Sequence, residues 1–312
     1  LRPLTNDVPK PMLPVANRPM IVWLVERLAE AGVTDVVLAL GFKPEPFAAA
    51  FPGGRHGDVR VHYAVEPEPL DTAGAIAFAA REAGIDDTFV VANGDIITDL
   101  EVAELVARHR AIGLLATIHL TPVDDPSSFG VVEVDGTDQG RVRRFVEKPQ
   151  PGDTDSKLIN AGTYVMEPAV LDLIEPGCRV SIERDTFPGL VAQNQLAAVA
   201  TDDYWIDTGR PSLYLQANLD IIDGRRAHVD AIAVADDADV ADDAIVIESV
   251  VGAGARIAAG ATVTRSVLLP GASIETDAVV DNSLVAGSVG AGSTVSHSVI
   301  GASYRVEAGV TI

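Results

Sequence analysis

From about residue 228 onward the chain repeats itself, and the form of the repeat leaves few folds open. Ser249-Val250-Val251-Gly252-Ala253-Gly254-Ala255-Arg256-Ile257 aligns with Ser266-Val267-Leu268-Leu269-Pro270-Gly271-Ala272-Ser273-Ile274, and Ser283-Leu284-Val285 and Ser298-Val299-Ile300 start two further copies. Aliphatics return every six residues in places, at Val234, Val240 and Val246, at Val251, Ile257 and Val263, and at Val289 and Val295. Ala, Gly and Ser fill the positions between. One aliphatic per six residues, with small neighbours, predicts a triangular parallel β-helix whose stacked coils bury a narrow column. The aromatic content of 5% fits an interior too narrow for large rings. A disordered Ala/Gly-rich tail would not keep this spacing.

Ahead of the repeat, strands and helices alternate. Residues 19–31 read as a helix with Ile21, Val22, Leu24, Val25 and Leu28 on one face, Pro19 in its first turn and Gly32 as its stop. Residues 36–40 are an unbroken apolar run typical of a buried parallel strand, and 60–65 form the next strand. Residues 72–83 are helix-like, 89–92 are another buried strand, Asp99 caps a helix reaching residue 111, and 114–120 follow as a strand. From 129 to 166 strands succeed one another without helices, as in a mixed extension, and 211–223 close the region as a helix. The order predicts an α/β fold: a doubly wound, mixed, mainly parallel sheet that binds ligand at strand C-terminal ends. This domain is expected over residues 1–227 and the β-helix over 228–312.

Composition narrows the function. A formal charge of −22 argues against nucleic acid, whose phosphates require a basic face, but leaves a single nucleotide open, since a few local cations and a metal suffice for that. No apolar run approaches the ~18 residues of a membrane span. One cysteine, Cys178, excludes an intrachain disulfide and fits a reducing cytoplasm. Open ends and flat faces of a β-helix favour a homo-oligomer.

Several short stretches could carry chemistry. Leu1-Arg2-Pro3-Leu4-Thr5-Asn6-Asp7-Val8-Pro9-Lys10-Pro11-Met12-Leu13-Pro14 sets Arg2 and Lys10 on a loop stiffened by four prolines. Separated cations on a rigid loop suit a polyphosphate; they also suit an ordinary connector. Asn93-Gly94-Asp95 ends the strand at 89–92, and Asp207 follows Tyr204-Trp205-Ile206. Two such carboxylates can share Mg²⁺, or simply start a turn and cap a helix. Glu147-Lys148-Pro149 pairs a point charge for phosphate with an acceptor for sugar hydroxyls, or forms a solvated strand edge.

Together these stretches resemble the sugar-nucleotide pyrophosphorylases, which join a nucleoside triphosphate and a sugar 1-phosphate into an NDP-sugar and pyrophosphate. The family's loop reads G-G-x-G-T-R-L-x-P-x-T-x-x-x-P-K-x-x-x-P, and Leu1, Pro3, Thr5, Pro9, Lys10 and Pro14 match it. The resemblance implies that a strand, a glycine-rich loop and an arginine belong before Leu1. It implies catalytic roles for Lys10, Arg2 and Lys148, with Lys10 on the nucleotide phosphates and Lys148 on the sugar phosphate. N-G-D and W-x-D-x-G imply Mg²⁺ on Asp95 and Asp207 and place Gly94 at the nucleotide. E-K-P and the N-A-G of Asn160-Ala161-Gly162 imply Glu147, Asn160 and Gly162 at the sugar. The tail is similar to the left-handed hexapeptide domain by type of repeat.

Glu66-Pro67-Glu68-Pro69-Leu70-Asp71-Thr72-Ala73-Gly74 resembles the E-x-x-P-L-G-T-A-G of the GDP-mannose-forming branch, with Asp71 where glycine is usual. It implies nucleotide contacts from Glu66, Pro69, Leu70 and Thr72. Guanine offers two adjacent donors that one carboxylate accepts together; uracil or thymine offers one donor between acceptors, which suits the glutamine of pyrimidine-using relatives. The base argument therefore favours GTP, and the resemblance implies mannose 1-phosphate as the second substrate. Ser181-Ile182-Glu183-Arg184 matches S-I-E-[KR] of the same branch. Three alternatives remain: a glucose-1-phosphate thymidylyl- or uridylyltransferase, a silent NDP-sugar-binding regulator, and an acyltransferase using His297 or His228 as base.

Overall fold

A computed structural model describes residues 1–41, 44–136, 139–226 and 231–312. The chain forms two compact units, one of Leu24–Gly94 and Thr98–Trp205, the other of Leu1–Trp23, Asp95–Ile97 and Ile206–Ile312. The expected division between 227 and 228 lies outside the described residues, as does His228. No helix among the described residues is long and apolar enough to cross a membrane.

Helix α1 (Met20–Glu30) buries Ile21, Val25 and Leu28 from its predicted stripe, and Gly32 follows it at φ 83°. Strand β1 (Asp35–Leu40), β2 (Arg55–His56) and β3 (Val59–Val65) make a three-stranded sheet in the order β1-β3-β2, with β1 and β3 parallel. The apolar run of β1 predicts burial on both sides. Instead Val36, Leu38 and Leu40 are buried while Ala39 is exposed, so the strand alternates and packs one face under helix α2 (Asp71–Glu82).

A larger sheet follows. Its strands are β4 (Phe89–Ala92), β5 (Ala116–Pro122), β6 (Gly130–Val134), β7 (Gln139–Glu147), β8 (Leu158–Met166) and β9 (Leu196–Ala200), in the order β4-β8-β5-β9-β7-β6. Among the described residues of this sheet β5 and β9 pair in parallel and the other pairs are antiparallel. The mixed character is thus stronger here than the alternation suggests, because β6, β7 and β8 follow one another without a crossover helix. Helix α3 (Val102–Ile112) starts after Glu101, not at Asp99, whose carboxylate instead meets Arg27 at 3.1 Å. The core joins Ile118 and Leu120 of β5, Tyr164 and Met166 of β8, and Phe187 of helix α4 (Phe187–Ala192). Phe187 packs between the rings of Phe145 and Tyr164 at 5.4 and 5.1 Å, and truncating it to Ala would cost roughly 3–5 kcal/mol.

In the other unit, helix α5 (Pro211–Ile222) precedes the β-helix. Three parallel sheets enclose one aliphatic column, as in the left-handed hexapeptide domain. The register is direct: Val246 pairs with Val263, Val263 with Val280 and Val280 with Val295, while Val251, Leu268, Val285 and Ile300 succeed one another on the next face. All of these but the half-buried Val246 are buried, and a fully buried side chain of this kind contributes roughly 1.5–3 kcal/mol. Successive coils are 17, 17 and 15 residues apart at Val246, Val263, Val280 and Val295. The short coil turns at Ala286-Gly287, where a Cβ on residue 287 would collide with the Tyr304 carbonyl, so glycine is required. At another corner Ser249, Ser266, Ser283 and Ser298 form a ladder, each Oγ of the first three accepting the amide of the next at 3.0 Å. The residues just before them, Glu248, Arg265, Asn282 and His297, all take left-handed φ of 43–50°.

Candidate active site

Lys10, Asp95 and Asp207 meet within one unit. The Lys10 Nζ donates to Asp95 Oδ2 at 2.6 Å and to Asp207 Oδ1 at 3.4 Å. Their side chains are 24%, 36% and 35% exposed, open enough for water or a ligand to reach them. The buried Thr208 joins the two aspartate segments, its Oγ1 donating to the Asp95 carbonyl at 2.8 Å. Asp207 Oδ1 also accepts the Gly209 amide at 2.8 Å. A Cβ on residue 209 would lie 3.0 Å from Asp207 Oδ1 and 3.5 Å from Lys10 Nζ, so glycine keeps the approach clear.

The segment after Lys10 is clamped by α5 and α1. Ala16 and Asn17 take left-handed φ of 46° and 65°. The Ala16 amide donates to Asn218 Oδ1 at 2.9 Å, Trp23 Nε1 donates to the Val15 carbonyl at 3.0 Å, and the Tyr214 hydroxyl donates to the Pro14 carbonyl. Burial raises the Tyr214 phenol above its usual range, which keeps it a donor. Sequence reasoning missed Thr208, Tyr214 and Asn218. Their one signal is polar side chains at buried positions, and burial is not visible before folding. Arg2 is exposed, and Pro3 beside it lies against the β-helix, where a Cβ on Gly301 would come within 2.8 Å of Pro3 Cγ.

The other expected residues belong to the second unit. Glu66 Oε2 accepts the Leu70 amide at 2.9 Å, closing a turn that includes Pro69. Asp71 stands at φ 61°, the conformation glycine would supply at no steric cost, and its Oδ2 receives Arg184 at 2.7 Å. A left-handed non-glycine residue costs about 1 kcal/mol, and an exposed ion pair returns less than that in most cases. Thr72 Oγ1 donates to Glu183 Oε2 at 2.9 Å and accepts the Ile182 amide at 2.8 Å, so the 181–184 segment braces the 66–74 segment.

Just past the end of β7 Lys148 takes φ 49°, its side chain 68% exposed and its Nζ 3.6 Å from Glu147 Oε1. Asn160 Nδ2 donates to the Tyr164 hydroxyl at 2.9 Å and its Oδ1 accepts the Gly162 amide at 2.9 Å. Gly162 stands at φ 78°, and its carbonyl accepts the Asn93 amide next to Gly94 at 2.9 Å. Trp205 Nε1 reaches the Ala161 carbonyl at 2.9 Å. The structure therefore gathers Lys10, Asp95 and Asp207 at one point, and places Glu66, Pro69, Leu70, Thr72, Gly94, Glu147, Lys148, Asn160 and Gly162 in the second unit. His297 sits at a coil corner, bonded to Ser296 Oγ at 2.8 Å and Asn282 Nδ2 at 3.2 Å.

Among the described residues no group of three or more His, Cys, Asp or Glu could hold a metal. Asp95 and Asp207 offer two hard oxygen donors with open sides, which suits a divalent cation that keeps several waters and binds phosphate.

The profile of the nucleotidyl transferase family matches residues 1–224. Mannose-1-phosphate guanyltransferase of Hypocrea jecorina is 43% identical over 219 residues, which is 69% of this chain, and the chain spans 59% of that relative's length. Among solved structures, the UTP-bound UGPase from Acinetobacter baumannii is alike with a TM-score of 0.64 and 21% identity, over 73% of this chain and 90% of that one. HddC from Yersinia pseudotuberculosis, complexed with GMP-PN, gives a TM-score of 0.57 and 27% identity over 70% of this chain and 92% of its own. The match over most of the chain agrees with the gathered lysine and aspartates: the protein belongs to the nucleotidyl transferase family.

Proposed function

We propose that the chain carries the machinery of a mannose-1-phosphate guanylyltransferase, converting GTP and mannose 1-phosphate to GDP-mannose and pyrophosphate. The observation that carries this reading is the bridging of Asp95 and Asp207 by Lys10, which brings three residues far apart in sequence to one open point. The guanyltransferase relative at 43% identity, together with Glu66 in the base segment, supports the choice of nucleotide. The proposed domains are 1–227 for transfer and 228–312 for the β-helix.

In this reading a phosphate oxygen of the sugar 1-phosphate attacks the nucleotide α-phosphorus, and pyrophosphate leaves. No protein nucleophile is needed, so positioning and charge neutralisation supply the rate. Asp95 and Asp207 would hold Mg²⁺, which when bound neutralises phosphate charge. Lys10 turns its ammonium to the nucleotide phosphates, and Arg2 supports the same loop. Lys148 holds the attacking phosphate, with Glu147 and Asn160 on sugar hydroxyls and Gly162 leaving room for the ring. Glu66 accepts both guanine donors while Pro69, Leu70, Thr72 and Gly94 shape the nucleotide pocket.

The test is pyrophosphate release from a matrix of four nucleoside triphosphates against several sugar phosphates. GTP with mannose 1-phosphate should give the highest kcat/KM. Preference for UTP or dTTP would reassign the base segment, and no turnover with any pair would favour a silent regulator.

A further inference from the structure

The base segment departs from its resemblance at one residue, Asp71, and the structure shows what that residue holds. The segment is pinned from its inner side by backbone bonds: the Val180 amide donates to the Leu70 carbonyl at 3.0 Å, and the Ala73 and Gly74 amides reach the Val180 carbonyl at 2.9 and 3.1 Å. Gly74 sits so close that a Cβ there would lie 2.7 Å from the Cys178 carbonyl. On the outer side the tie is the Asp71–Arg184 pair at 2.7 Å, with Asp71 Oδ1 also accepting the Thr72 amide at 2.8 Å. Arg184 is 65% exposed and Asp71 25%. An exposed pair that requires a left-handed aspartate adds little to folding stability, and strain kept at such a place points to function.

We infer that the Asp71–Arg184 pair is a positioning element for the nucleotide. It holds the Leu70–Thr72 backbone in one geometry before the nucleotide arrives, which lowers the ordering cost of binding. It therefore sets the nucleotide KM and the discrimination among bases, and leaves the chemical step alone. The inference rests on the reading of Glu66 to Thr72 as the nucleotide segment.

The experiment is steady-state kinetics and thermal melting of the full chain as wild type, Asp71→Gly, Arg184→Met and the double variant. Each single change should raise the nucleotide KM about five- to tenfold and narrow the preference for the favoured base, with sugar-phosphate KM and kcat within about twofold; the double variant should be no worse than the weaker single, because one interaction is lost in all three. Asp71→Gly should not lower Tm, since glycine relieves the left-handed strain; a purely structural pair would lower it. A nucleotide KM that does not move, or one that rises only alongside a fall in Tm, overturns the inference while wild-type turnover leaves the function standing. Absence of wild-type turnover with every nucleotide removes both.

Discussion

The Lys10 ammonium stands 2.6 Å from Asp95 and 3.4 Å from Asp207, partners 85 and 197 residues away in the chain. One cation thus bridges two carboxylates in a half-open setting and leaves one negative charge unmatched within the trio. Lys10→Met and Asp95→Asn should each lower kcat on the order of a hundredfold or more, the scale of losing one preorganised charge at a reacting phosphate. Circular dichroism should report an unchanged fold, because all three side chains reach solvent.

Lys148 is expected to act on the sugar phosphate only. Lys148→Ala should raise the sugar-phosphate KM and lower kcat, on the order of a hundredfold in kcat/KM, with nucleotide binding by calorimetry unchanged. Its side chain meets only Glu147, at 3.6 Å, among the ion pairs described, so melting should not shift.

Glu66→Gln tests the base argument directly. Glutamine can still accept the Leu70 amide that Glu66 Oε2 accepts at 2.9 Å, so the turn should persist. The carboxylate that accepts two guanine donors is lost, and the ratio of GTP to UTP kcat/KM should fall about tenfold or more, on the scale of a mismatched buried hydrogen bond. An unchanged ratio would place base selection elsewhere.

These residues differ in how far sequence alone could reveal them. The β-helix was legible because its period is local: Val251, Ile257 and Val263 fall inward as spaced. The short coil was legible too, in the 15-residue spacing of Ser283 and Ser298, but its cause was not, since the turn at Ala286-Gly287 depends on the Tyr304 carbonyl of the next coil. Asp99 read as a cap from its place before an apolar run, but Arg27 offered its carboxylate an ion pair instead. Lys10, Asp95 and Asp207 could be named from their motifs, yet their meeting depends on Thr208 reaching the Asp95 carbonyl, a tertiary contact. Asp71 was legible as a departure; that Arg184 answers it was visible only in the fold.

His119 makes a prediction about acid. It is 1% exposed on β5, with Nε2 bonded to Thr201 Oγ1 at 2.8 Å and Nδ1 without a hydrogen-bond partner among the described residues. Burial lowers its pKa from 6.5 to about 4. The unfolded chain takes up a proton near 6.5 while the folded chain resists until about 4, so stability falls as pH drops through that window and is undiminished above it. The loss amounts to ~3 kcal/mol at the acid end. His119→Gln should flatten the fall of Tm between about pH 7 and pH 4.5, whatever its effect at neutral pH.

Gly301 lets Pro3 settle on the coil stack, with no atom to spare between them. The coil corner at residue 301 and the seat of the cation-bearing loop are consequently coupled. Exchanging this tail for one whose corner bears a methyl would shove the proline outward, and transplanting the loop alone would leave it without a floor.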